Sequence, residues 1–128
     1  MSYYFSKIIK GSFEEVIERV TASLKKEGFG ILTEIDVKET LKKKLNVEFP
    51  KYRILGACNP PFAYKALQVE DKIGTMLPCN VIIKEKDREE IEVASVDPVA
   101  SMEAIDNPEL LAVARQVQEK LQRVVAIL

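Results

Sequence analysis

Apolar residues recur along this chain with two periods, near two in some segments and three to four in others, and the switches between them mark the elements. Tyr3, Phe5, Ile8 and Ile9, with Ser6 and Lys7 between them, predict a first strand that Gly11 ends. Ser12 and Glu15 then form a capping box, and Phe13, Val16, Ile17, Val20 and Leu24 make one apolar stripe of a helix that Gly28 closes. Phe29 to Ile35 reads as a second strand. Asp36 and Glu39 repeat the capping pattern ahead of a short helix marked by Val37, Leu41 and Leu45. Tyr52 to Ala57 is a third strand ended by Cys58, and Asn59-Pro60-Pro61 is a helix start, with Asn as cap and proline tolerated in the first turn.

Beyond that helix, Asp71 to Pro78 carries the breakers Gly74 and Pro78 and reads as a loop. Cys79 to Glu85 and Ile91 to Val96 are strands joined by the charged turn Lys86 to Glu90, hence a hairpin. Asp97-Pro98 opens a short turn and Asn107-Pro108 a long terminal helix. Its Leu110, Val113, Ala114, Val117, Leu121, Val124 and Leu128 form a stripe that seals the sheet, with a dimer contact as the other use of so broad an apolar face. The element order predicts one α+β domain over residues 1–128 with a mixed, largely antiparallel sheet covered on one face by the two long helices. The hairpin alone prevents the later strands from all being parallel, because its turn is too short for a crossover.

Composition narrows the classes of activity. With 47% hydrophobic and 30% charged residues over 128 positions, the chain buries roughly two-thirds of its unfolded surface and needs no staples. Nineteen basic against twenty acidic side chains argue against nucleic acid as a partner. No apolar run is long enough for a membrane span or a secretory core, so no membrane association is expected and the cytoplasm is the expected compartment. The Lys38, Lys42, Lys43 and Lys44 cluster reads as a solvated helix face, and the acidic cluster from Glu85 to Glu92 as a soluble hairpin tip.

Chemistry concentrates at the two cysteines, in Gly56-Ala57-Cys58-Asn59-Pro60-Pro61 and Leu77-Pro78-Cys79-Asn80. If the third and fourth strands are adjacent and antiparallel, the end of one meets the start of the other, and both thiols lie at one sheet edge beneath the segment from Asn59 to Pro78. Cys58 also precedes a helix start, where free amides and the helix dipole would stabilise a thiolate and form an anion site. Inert packing, a redox or nucleophilic role, and contact with a ligand or metal all remain open for the pair. The sequence has no histidine, which removes the Ser-His-Asp and Cys-His mechanisms and leaves two cysteines as half of a structural zinc site. No metal site and no cofactor are expected, since neither a phosphate loop nor a dinucleotide fingerprint is present. Tyr52 and Tyr64 bracket the first motif as further candidates for a pocket wall.

The run from Tyr52 to Glu85, with Gly56, Cys58, Asn59, Pro60, Ala63, Leu77, Pro78 and Cys79, resembles the bacterial and archaeal family catalogued as domain of unknown function 302. The resemblance extends over nearly the whole chain, through the Phe13 to Leu24 helix, Gly28-Phe29, the Asp97-Pro98 turn and the helix after Pro108. It implies a curved, mainly antiparallel sheet of about five strands backed on one face by two long helices, of the TATA-binding-protein-like class, and a homodimer. It implies no activity. The expectation is a small-molecule or partner-binding module with Cys58, Asn59, Pro60, Tyr64, Pro78 and Cys79 at its site. A thiol redox protein using Cys58 and Cys79, and a structural homodimeric scaffold, are the alternatives.

Overall fold

A computed structural model describes residues 2–128. Its elements follow the order β1 (Tyr4–Lys10), α1 (Phe13–Lys26), β2 (Gly30–Asp36), α2 (Val37–Leu45), β3 (Tyr52–Cys58), α3 (Pro60–Val69), a 3₁₀ segment (Asp71–Met76), β4 (Cys79–Glu85), β5 (Glu90–Val96), α4 (Pro98–Met102) and α5 (Pro108–Ala126). The strands form one curved sheet in the order β1-β5-β4-β3-β2. Every neighbouring pair is antiparallel, so the expected mixed sheet is in fact wholly antiparallel. The reason lies in β1, which pairs with β5 from the far end of the chain rather than with β2.

Register sorts the strand residues into two faces, because paired residues share a face and successive ones alternate. Ile9 pairs with Ile91, Val93 with Ile83, and Leu55 with Val81, and all of these are buried beneath α1 and α5. The helices contribute Val16, Val20 and Leu24 from α1, and Leu121 and Val124 from α5, all fully buried. Each such side chain contributes about 1.5–3 kcal/mol relative to exposure. Where the two helices approach, Ser23 is buried, and its hydroxyl donates to the Val124 carbonyl at 2.9 Å, so the small residue leaves no unpaired polar atom.

The helix ends are set by the residues the sequence singled out. Ser12 accepts from the Glu15 amide at 3.2 Å, and Asp36 from the Glu39 amide at 3.0 Å. Gly28, at φ +88°, lets its own amide reach the Lys25 carbonyl and the Phe29 amide reach the Leu24 carbonyl, a Schellman ending that turns the chain directly into β2. The short helix α2 forms where its cap places it but buries no side chain fully. Of its apolar stripe, Val37 and Leu41 are only half-buried and Leu45 is 66% exposed. The presumed loop before β4 is the 3₁₀ segment, which buries Ile73.

Candidate functional site

Among the described residues the buried apolar side chains form two clusters. The larger is the sheet with α1 and the C-terminal half of α5; the smaller comprises Ala66 of α3, Ile73 of the 3₁₀ segment, Met102 of α4, and Leu110 and Ala114 at the start of α5. Between them lies a cavity of about 350 Å³. Phe29, Ala57 and Cys79 from the first cluster form one wall, and Ala66, Met102 and Ala114 from the second form another. The void has a steric origin: alanines at positions 63, 66 and 114 occupy lining positions on two helices where larger side chains would fill the gap.

Both cysteines border this cavity, for the reason the sequence suggested. β3 and β4 are adjacent and antiparallel, with Ala57 paired to Cys79, so Cys58 stands one place beyond the pair. The location needs one correction. β3 and β4 are inner strands, so the thiols lie at an end of the sheet and not along an edge. Alternation sets Cys79 on the helix-covered face with Ala57 and starts the Cys58 side chain from the other face. Cys79 is buried; burial, and secondarily the neighbouring Cys58, push its thiol up to about 11. It therefore stays protonated at neutral pH and is a poor nucleophile. No disulfide joins the two, and among the described residues no cluster of three or more histidine, cysteine or carboxylate groups could hold a metal.

The helix start beside Cys58 is a poorer anion site than expected, with the Phe62 amide the one left in its first turn. Pro60 and Pro61 occupy the first two helical positions and carry no N–H, and the Ala63 amide is taken by the Asn59 carbonyl at 2.9 Å. Nor does the Asn59 side chain cap the helix. Its Nδ2 donates instead to the Glu27 carbonyl at 3.1 Å, tying β3 to the end of α1. A Cβ on Gly28 would come within 3.1 Å of that same nitrogen, so the glycine serves both the helix ending and this close approach.

Of the other residues singled out in the sequence, Pro78 lines the cavity, whereas Pro60 and Tyr64 do not; Tyr64 is 66% exposed. Tyr52 belongs to a hollow on the opposite face of the sheet. Sequence reasoning missed Phe62, Ala66, Met102 and Ala114. The one signal was the spacing of Ala63 and Ala66 on a single face of α3, which reads as ordinary helix until α5 is placed against it. It also missed the irregularity between Ile31 and Thr33, where the β2–β3 register shifts and Leu32 is displaced to the cavity mouth. Cationic charge stays close outside: the Lys65 and Lys120 ammonium groups lie 5.6 and 5.8 Å from the Phe62 ring centroid, favourable cation–π distances.

Comparison with known proteins agrees with this architecture. The family model described as "Domain of unknown function DUF302" matches residues 5–128. A crystal structure of an uncharacterized conserved DUF302 protein from Bacillus stearothermophilus superposes with a TM-score of 0.91 at 26% identity, covering 98% of each chain. Among curated proteins, none matches.

Proposed function

We propose that this chain, which belongs to the DUF302 family, is a binding module for an uncharged, largely apolar small molecule held in the cavity at the Cys58/Cys79 end of the sheet. One observation carries the reading. In a chain with 30% charged residues, none of the nineteen residues lining the cavity is charged. A volume of about 350 Å³ falls in the range of small-molecule pockets, which are mostly apolar with a few polar groups fixing orientation. Here those groups are the two thiols and the Asn59 amide, and the prolines of α3 remove the amides that would otherwise favour an anion.

The same geometry weighs against thiol redox chemistry, since a resolving Cys79 with a thiol near 11 is mostly protonated at neutral pH. We place the module in the cytoplasm, where free thiols persist; no described helix is long and apolar enough to cross a membrane. The test uses N-phenyl-1-naphthylamine, a neutral apolar fluorophore. Saturable uptake of one probe per chain is expected, together with slower alkylation of Cys58 by iodoacetamide when the probe is bound. Ala66→Phe and Ala114→Phe, each checked for native circular dichroism, should abolish uptake by filling the space. Uptake unaffected by both substitutions, or no uptake by the native protein, would overturn the reading.

A further inference from the structure

At the start of α3 one hydrogen bond that helices ordinarily make is missing. A cap residue's side-chain oxygen normally accepts from the amide of the third helical position, and for Asn59 that amide belongs to Phe62. Here the Asn59 side chain is turned back to α1, where its Nδ2 donates to the Glu27 carbonyl at 3.1 Å, so the cap bond does not form. That contact also fixes the orientation of the side-chain amide, because a carbonyl accepts only from its nitrogen. Oδ1 is left without a donor and the Phe62 amide without an acceptor among the described residues.

Both residues line the cavity, and Asn59 is only 8% exposed. No side-chain nitrogen or oxygen among the described residues is both sealed and unpaired, so Oδ1 stays within reach of a molecule entering that space. An acceptor and a donor that would ordinarily satisfy each other thus stand unpaired at an otherwise apolar wall. Covering either without a partner costs its full desolvation, so an occupant is selected by what it offers to both. We propose that the occupant is a neutral alcohol or phenol, whose oxygen accepts from the Phe62 amide while its O–H donates to Asn59 Oδ1, an inference that rests on the cavity being a binding site.

Other head groups satisfy at most one of the two. A carboxylate accepts from the Phe62 amide but sets its charge against the Oδ1 lone pairs, and no lining residue carries a compensating cation. An ammonium donates to Oδ1 but finds no anion among the lining residues and offers the amide no acceptor. An ether or a ketone only accepts, and leaves Oδ1 covered and unpaired. The hydroxyl is the group among these that donates and accepts without charge. The thiols of Cys58 and Cys79 are weak hydrogen-bonding groups and do not compete with it. The hydrocarbon body of the occupant then has Phe29, Met102 and Leu110 to pack against.

Displacement of N-phenyl-1-naphthylamine by 2-naphthol and by its methyl ether, 2-methoxynaphthalene, tests this in the native chain and in Asn59→Leu. Two ligands compared across two proteins isolate the contact between the hydroxyl and Asn59, since a general change in the cavity affects both ligands alike. The preference for naphthol over its ether is expected to be about tenfold greater in the native chain than in the variant. 2-Naphthoate, which carries a carboxylate on the same rings, should displace the probe about tenfold more weakly than naphthol does. Should Asn59→Leu fail to fold, nuclear magnetic resonance of the native chain carries the test: naphthol, and not its ether, should shift the Asn59 side-chain amide resonances. An equal preference in both proteins, an Asn59 side chain that responds alike to both ligands, or naphthoate bound as tightly as naphthol would overturn this inference while uptake of the probe kept the cavity reading intact. No uptake of the probe at all overturns that reading, and this inference with it.

Discussion

A methyl group at position 56 has nowhere to go. A Cβ there would overlap the Thr33 hydroxyl and lie 2.7 Å from Pro78 Cγ, so glycine is required by two neighbours and not by its own backbone angles. Gly56→Ala is therefore expected to destabilise by about 1–3 kcal/mol, read as a lower urea midpoint, with Thr33→Ala in the same chain recovering part of the loss. Cys79 gives a second expectation at this scale. Its thiol is pushed up to about 11, whereas in the unfolded chain it titrates near 9.0, so the native state holds that proton more tightly. The resulting stability is complete below pH 9 and is lost as pH rises through about 11, by up to roughly 3 kcal/mol. Urea titrations of the native protein and Cys79→Ala should diverge in pH slope over that window; parallel slopes would contradict the assignment. The sequence marked Gly56 and Cys79 as notable, but the reasons depend on Thr33 of the neighbouring strand and on the burial of Cys79, which only the packed fold shows.

The helices show how far local signals carry. Asn59 and Asn107 look alike in the sequence, each preceding a proline, yet only one acts as a cap. Asn107 accepts from the Leu110 amide at 3.1 Å while its Nδ2 donates to the Val69 carbonyl at 2.7 Å and to Glu70 Oε1 at 3.1 Å, locking the start of α5 to the end of α3. Asn107→Ala is expected to cost about 2–4 kcal/mol, from the cap and the donated bonds together. Asn59→Ala removes no cap and should cost only the ~1–3 kcal/mol of an unpaired Glu27 carbonyl, without weakening α3. Thermal melts of the two variants, with hydrogen exchange of the α3 and α5 amides, separate these outcomes. Element positions were legible because caps, glycines and periodicity are local. The exposure of α2 and the bulge at Leu32 were not, since periodicity reports an apolar face without reporting whether anything lies against it.

At the scale of the molecule, the pairing of β1 with β5 is a contact between chain ends that no local pattern announces. The sheet with α1 and half of α5 holds one apolar cluster; α3, the 3₁₀ segment, α4 and the start of α5 hold another, smaller one, and the cavity lies between them. The cysteine motifs pointed to this place because strand ends border it, but the helices that complete it carry only ordinary core residues. Two clusters joined across a void should not share one opening energy. In the native state, amides of α3 and α4 are expected to exchange by local opening well before those of β4 and β5, as the smaller cluster detaches without global unfolding. A ligand in the cavity touches both walls and is lost on detachment, so it should slow exchange selectively in α3 and α4. At one hundred times its dissociation constant the gain is ~2.7 kcal/mol, about a hundredfold in those exchange rates. With N-phenyl-1-naphthylamine as the probe, a uniform slowing over all elements would mean that the two clusters open as one, while slowing confined to the open sheet face would place the probe there instead.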